Sequence, residues 1–332
     1  MIGYYVHHVG SGHLHRARAV AQALDAPVTG FSSLPRPQDW PGPWIQLELD
    51  DLDADRSDST VGDRLHWAPR GHQGLRSRMA EISAWLSNVA PSVFVVDVSV
   101  EVALLVRLHG IPVVTVVGPG ERGDAAHLLG FDIADALVGC WPPEAVGMVR
   151  GLPPQVVGRV QPIGALSRYP VAEPIRRRPG PPRVVLMSGA GGGTLDADDL
   201  ARAREETPEW EWTVLDRHLG AWVEDPYPSL CEADVVVTHA GQNALAEVAA
   251  ARTPAVVVPQ PRPHREQQVT ADVLSRGGWP AVVVDAWPWT GWAERLEQAR
   301  RLDGSDWAAW CDGRAAQRLA AVIGSVPGAG RS

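Results

Sequence analysis

Short apolar, β-branched runs recur along the chain, each followed by a stretch of helical periodicity, and this alternation constrains the fold more than any other feature. Strands are read at 2–7, 44–49, 93–97, 113–117, 183–187, 212–215, 234–238, 255–258 and 281–284. Helices fit at about 14–24, 73–88, 100–108, 197–205, 242–251, 266–276, 292–301 and 307–323. Such alternation builds parallel sheets covered by helices. Continuous runs such as Val184–Val185–Leu186–Met187 suit strands buried on both faces.

A length of 332 residues suits about two domains. The stretch 167–182, SRYPVAEPIRRRPGPP, is Pro-rich and charged, lacks a regular period, and reads as a linker. The chain therefore divides into a first domain at 1–166, the linker, a second domain at 183–305 and a terminal segment at 306–332. The polar, aperiodic stretch 50–71 reads either as a loop near a substrate or as a surface insertion.

Composition then excludes whole chemistries. All 30 basic residues are Arg, so no Schiff base, pyridoxal-phosphate anchor or Walker-type phosphate loop can form. A bound phosphate must be held by Arg, His, backbone N–H groups or helix N-termini. The net charge of −9 argues against a nucleic-acid partner. Cys140, Cys231 and Cys311 are far apart and offer no metal or disulfide spacing, which fits a reducing cytoplasm. The opening MIGYYVHHVGSGH lacks the pattern of a signal peptide, and no apolar run reaches the roughly 18 residues of a membrane span. Peripheral contact with an inner membrane face stays open.

Four segments carry candidate chemistry, each directly after a strand. Gly10-Ser11-Gly12-His13-Leu14-His15-Arg16 opens the first helix and places His13 at the carboxyl end of a parallel strand, where open α/β sheets bind ligands; a plain glycine turn is the alternative. Ser188-Gly189-Ala190-Gly191-Gly192-Gly193-Thr194 suits a backbone wrapped around a phosphate or sugar, or a mere crossover. In Thr238-His239-Ala240-Gly241-Gln242-Asn243-Ala244-Leu245-Ala246-Glu247, Asn243 and Glu247 share one helix face, and a carboxylate one turn beyond an anion-binding helix start can accept ribose hydroxyls. The segment 259–268 is stiffened by Pro and ends in Glu266, Gln267 and Gln268, whose groups suit sugar hydroxyls. Asp97 ends its strand and either orients His13, contacts the acceptor or caps the next helix.

Together these segments resemble a GT-B glycosyltransferase with a family-28-type C-terminal domain, the clan of the MurG-type and UDP-glycosyltransferases. The resemblance is specific at 10–16 and 233–274 and departs from the MurG-type pattern in its donor loop, which has one extra residue around Arg262-Pro263-His264. It implies two Rossmann-like doubly wound domains facing across a cleft, with the last helix packing back on the first. It implies His239, Ala240, Gly241, Gln242 and Asn243 at the donor diphosphate, with the Ser188, Gly189, Gly191 and Gly192 loop beside them, and Glu247 on the ribose. Glu266, Gln267 and Gln268 would take the donor sugar, and Trp222 and Val223 the nucleobase, although core packing is as good a reading of Trp222. Gly12 would join the donor contacts, and His13 would stand at the cleft as an acceptor-activating or phosphate-facing group, the base in the favoured reading. Arg16 or Arg265 could add positive charge. The implied activity is metal-independent transfer of a hexose from a nucleotide sugar, UDP-linked in the favoured reading, to an acceptor hydroxyl of a lipid-linked, small-molecule or glycan partner. No DxD-like carboxylate pair is read in the donor region, so no divalent metal is expected to be required, and no other cofactor is expected. Hydrolysis of a UDP-sugar, non-hydrolysing epimerisation and non-catalytic nucleotide-sugar binding are the alternatives.

Overall fold

The computed structural model describes residues 1–173, 179–188, 195–216, 218–220 and 223–328. The first half forms a parallel sheet from β1 (Ile2–Tyr5), β2 (Val28–Ser32), β3 (Trp44–Gln46), β4 (Val93–Asp97), β5 (Val113–Val117), β7 (Ala136–Gly139) and β9 (Val160–Pro162), in the order 3-2-1-4-5-7-9. A small separate pair joins β6 (Gly120–Glu121) to β8 (Val149–Arg150). The crossovers run through α1 (Gly12–Ala23), α2 (Gln73–Val89), α3 (Val100–Leu108), α4 (Ala125–Ile133) and α5 (Pro154–Val157).

The second half repeats the plan with β10 (Arg183–Met187), β11 (Glu211–Leu215), β12 (Val235–Thr238), β13 (Ala255–Val257) and β14 (Ala281–Val283), all parallel, in the order 11-10-12-13-14. Its helices are α6 (Ala197–Glu206), α7 (Tyr227–Glu232), α8 (Gln242–Ala251), α9 (Glu266–Ser275) and α10 (Trp292–Arg300). Both halves are thus doubly wound, as the alternation predicts.

Alternate residues of each strand feed opposite faces, as a pleat requires. Tyr4, Val95, Val114 and Val138 lie on one face of the first sheet, in a core shared with Val20 of α1. Phe94, Val96 and Phe31 lie on the other, with Ile82 and Leu86 of α2. The last helix, α11 (Ala315–Ser325), sets Ala315, Leu319 and Ile323 four residues apart on one stripe and buries it in the α1 core. Trp307 and Trp310 belong to the same core as Trp141 and Met148 of the first half and Leu245 and Val248 of the second. Trp307 also donates its indole N–H to Thr253 O at 2.9 Å.

The sequence expectation of one helix at 307–323 is corrected. A 3₁₀ turn at Gly304–Ala309 precedes α11, and Gly313 at φ +79° breaks the chain between them. Strands β2, β7 and β9 escape a pattern-based reading because Gly or Pro interrupts VTGFS, ALVG and VQP, although β2 and β7 are wholly buried. Among the described residues no helix is long and apolar enough to cross a membrane.

Candidate active site

In each sheet the winding direction reverses beside its first strand, and a crevice opens there at the carboxyl ends. In the first half it lies between β1 and β4; in the second, between β10 and β12. The pairing Tyr5↔Val96 brings both first-half strands to the same level, so that Asp97 and the turn into α1 leave the same edge. The two crevices face each other. A Cβ on Gly12 would lie 1.7 Å from Asn243 Nδ2, so the start of α1 touches the Asn243 side chain at the start of α8 across the cleft, and any larger residue must push that amide aside.

On the first-half side, His13 Nδ1 lies 3.0 Å from Asp97 Oδ1 and 3.1 Å from Arg16 Nη2. Asp97 is wholly buried and also accepts from Arg16 Nε at 2.9 Å. Burial alone would raise the Asp97 carboxyl; the charges of Arg16 and then His13 outweigh it and hold it at about 2. Asp97 is therefore a fixed anion behind a half-exposed imidazole. It does not cap α3: Ser99 does, accepting from Val102 N at 3.3 Å. The ring of His7 lies 5.5 Å from that of His13, and burial, with help from His13, pushes His7 down to about 3.

On the second-half side, α8 begins at Gly241 with no capping side chain. Its first N–H groups are therefore unoccupied by a side-chain cap, as at an anion-binding helix start. His239 accepts from Gly241 N at 3.0 Å through Nδ1, and burial followed by the charge of Arg262 lowers it to about 4. The Gln242 Nε2 is buried with no partner among the described residues, and a buried donor of that kind is costly unless something satisfies it. A cavity of ≈ 260 Å³ opens here, lined among others by Met187, Ser188, Thr238, His239, Gln260 and Gln268. A larger one, ≈ 340 Å³, lies at the opposite edge by Arg183, Asp234 and Pro254, away from both crevices.

The remaining expected residues hold partners from elsewhere. Glu247 is buried and its Oε1 lies 2.8 Å from Arg168 Nε; burial raises the carboxyl, and Arg168 opposes it. Glu266 pairs with Arg122 of the first half. Gln267 Oε1 accepts from Gln260 N at 2.9 Å, and Gln268 Nε2 donates to Gln260 O at 3.1 Å, so both amides brace the 259–262 loop. Ser188 donates to Asp216. Ala240 is core, and Val223 packs half-buried against the same core. Gly189, Gly191, Gly192 and Trp222 lie outside the described residues.

Of the cations the sequence suggested for the diphosphate, Arg16 is bonded to Asp97 and Arg265 to Glu121 at 2.9 Å. Arg262 lies close enough for its charge to lower His239, and it donates to Gln260 Oε1 at 2.9 Å; it, Arg168 and Arg122 were missed, since nothing in their local pattern marks them. The expectation of no DxD-like pair in the donor region is corrected: Asp196 and Asp198 have that spacing, but they open α6, and Asp196 caps it by accepting from Asp199 N. The 50–71 stretch reaches the cleft: Glu101 Oε1 accepts from His66 N at 2.7 Å and Trp67 N at 3.0 Å, and His66 meets Asp124.

Residues 225–286 match the glycosyltransferase family 28 C-terminal domain. A stretch of 95 residues, 27% of the chain, is 40% identical to an uncharacterized glycosyltransferase of Methanopyrus kandleri, and it spans 26% of that protein's length. The fold is similar to that of MurG from Acinetobacter baumannii, with TM-score 0.63 at 15% identity, covering 97% of this chain and 99% of that one. It is also similar to LpCGTa, solved in complex with UDP, with TM-score 0.62 at 14% identity over 97% and 98%. The architecture is GT-B.

Proposed function

For a chain that carries a glycosyltransferase family 28 C-terminal domain on a GT-B fold, we propose transfer of a sugar from a nucleotide-sugar donor to an acceptor hydroxyl. The observation that carries this reading is the pairing of a base with an anion site: His13, backed by buried Asp97, faces the uncapped start of α8 across a cleft narrow enough for Gly12 to touch Asn243.

Transfer needs a proton removed from the acceptor and charge stabilised on the leaving diphosphate. With Nδ1–H turned to Asp97, the Nε2 of His13 is the basic nitrogen that takes the hydroxyl proton, and the fixed carboxylate steadies the imidazolium. The diphosphate sits on the α8 N-terminus with His239 and the amide of Gln242, and Arg262 adds charge. A neutral His239 donates one hydrogen bond there without carrying a proton onto the product.

Glu247 exchanges Arg168 for the ribose hydroxyls when donor binds, and Glu266 exchanges Arg122 for the sugar. The guanidinium groups hold those carboxylates ordered beforehand, which lowers the cost of organising the site. UDP is the nucleotide we assign, supported by the UDP complex of a structural neighbour. The transfer step is assigned no metal; the α8 N-terminus, His239, the Gln242 amide and Arg262 are the groups assigned to the diphosphate.

A mass-spectrometric screen of nucleotide sugars against the pure protein, scored for bound donor and for released UDP, tests the reading. Saturable donor binding supports it; no binding of any nucleotide or nucleotide sugar rejects it.

A further inference from the structure

A second constellation lies beside the cleft and takes no part in the transfer just described. His66, His127 and His264 converge so that one ligating atom from each lies within 4.8 Å of the others. His66 comes from the 50–71 stretch, His127 from the first turn of α4, and His264 from the donor loop of the second half. The ring centroids of His66 and His127 are 4.2 Å apart, and those of His127 and His264 4.8 Å. Three imidazoles from three separate segments, meeting across a domain boundary, are more than packing requires.

Asp124 organises them. Its Oδ1 lies 3.1 Å from His66 Nε2, its Oδ2 is hydrogen-bonded to His127 Nδ1, and His264 Nδ1 is 3.9 Å from the same oxygen. A carboxylate that fixes histidine tautomers from behind is the usual companion of imidazole ligands to a metal. His127 Nε2 faces the other way and accepts from Arg122 Nη1 at 3.0 Å. An ion bound at that nitrogen displaces this one Arg122 contact; the guanidinium also bonds Pro119 O and Glu266. The chain also accepts backbone strain to present His264: His264 and Arg265 are consecutive non-glycine residues at φ +55° and +52°. Gly120 makes room for them, since a Cβ there would lie 2.4 Å from His264 O.

We propose that His66, His127 and His264, steadied by Asp124, form a binding site for a divalent transition metal of the zinc class. Imidazole nitrogen suits zinc, nickel and copper and disfavours magnesium and calcium, and three nitrogen ligands leave a fourth position for water. The site joins two ligands of the first half to one of the second. Its occupancy ties the donor loop, with Glu266 and Gln267, to the acceptor half.

The test uses tag-free protein stripped with a chelator and dialysed against Zn²⁺ alone. The expected result is about one retained Zn²⁺ per chain, with an X-ray absorption spectrum of nitrogen ligation and a raised melting temperature that chelation reverses. His264→Gln and His66→Gln each abolish that high-affinity retention, and Asp124→Asn weakens it by ~10–100-fold. His109→Gln, remote from the cluster, leaves it unchanged. Circular dichroism of each variant separates ligand loss from misfolding. No retention by the wild-type chain, or retention equal in wild type, His264→Gln and His66→Gln, overturns the proposal. Neither result bears on nucleotide binding, so this site and the proposed activity stand or fall separately.

Discussion

Asp97 Oδ1 stands 3.0 Å from His13 Nδ1, and the carboxylate making this contact is wholly buried and doubly bonded to Arg16. An imidazole so held has one nitrogen fixed and one left for chemistry. Asp97→Asn removes the charge while keeping the shape. The expected outcome is a kcat lower by ~10²-fold or more, with donor KM nearly unchanged and a displaced acidic limb of the pH–rate profile. His13→Ala lowers kcat by ~10²–10⁴-fold. A purely structural Asp97 would instead lower stability and leave the pH profile of the surviving activity in place.

The Glu247–Arg168 pair makes a second prediction. Glu247→Gln leaves a neutral group of the same size where the ribose hydroxyls need a strong acceptor. Donor KM should rise by ~10-fold or more, matching the ~1.5–3 kcal/mol of a hydrogen bond to a charged group, and kcat should change less. Steady-state kinetics with varied donor decide it; an unchanged KM removes Glu247 from the donor site.

Stability should fall on mild acidification. Burial chiefly holds His7 at about 3 and His127 and His239 at about 4, whereas unfolded imidazole titrates near ~6.5. Between those values the unfolded chain binds more protons than the folded one, so stability is full above about pH 6.5 and is lost as pH falls toward 4. Asp97, held at about 2, adds its own loss only below the unfolded carboxyl value of ~3.9. Urea midpoints should therefore drop between pH 7.5 and 5 with little change in slope. A flat midpoint over that interval contradicts the burial of neutral imidazoles.

Gly12→Ala probes the cleft itself. Alanine favours the start of α1, so the first half should fold at least as well. Its methyl group pushes the Asn243 amide out of its place at the start of α8. We expect an unchanged far-UV spectrum with weaker donor binding; undiminished donor affinity would show that this contact does not matter.

The architecture was legible because strand and helix periods differ and the buried strands are apolar throughout. The glycine turns also announced themselves, each directly after a strand. What stayed hidden was long-range pairing. Asp97 looked as good a cap as a partner of His13, because Ser99 stands two residues on and only the fold shows which side chain reaches Val102 N. Arg168 lay in a stretch read as linker, yet Ala172 N donates to Ala250 O and Tyr227 to Pro170 O, which docks that stretch against α7 and α8. The His66–His127–His264 convergence spans separations no local pattern records. The lysine-free composition retains its meaning: every cation near the cleft is a guanidinium or an imidazole.

Calorimetric titration of UDP into wild-type, His13→Ala and Glu247→Gln proteins tests the central claim most directly. The account predicts saturable binding near one UDP per chain, unchanged in His13→Ala and weaker by ~10-fold or more in Glu247→Gln. Absence of UDP binding to the wild-type chain, or equal affinity in wild type and Glu247→Gln, would contradict it.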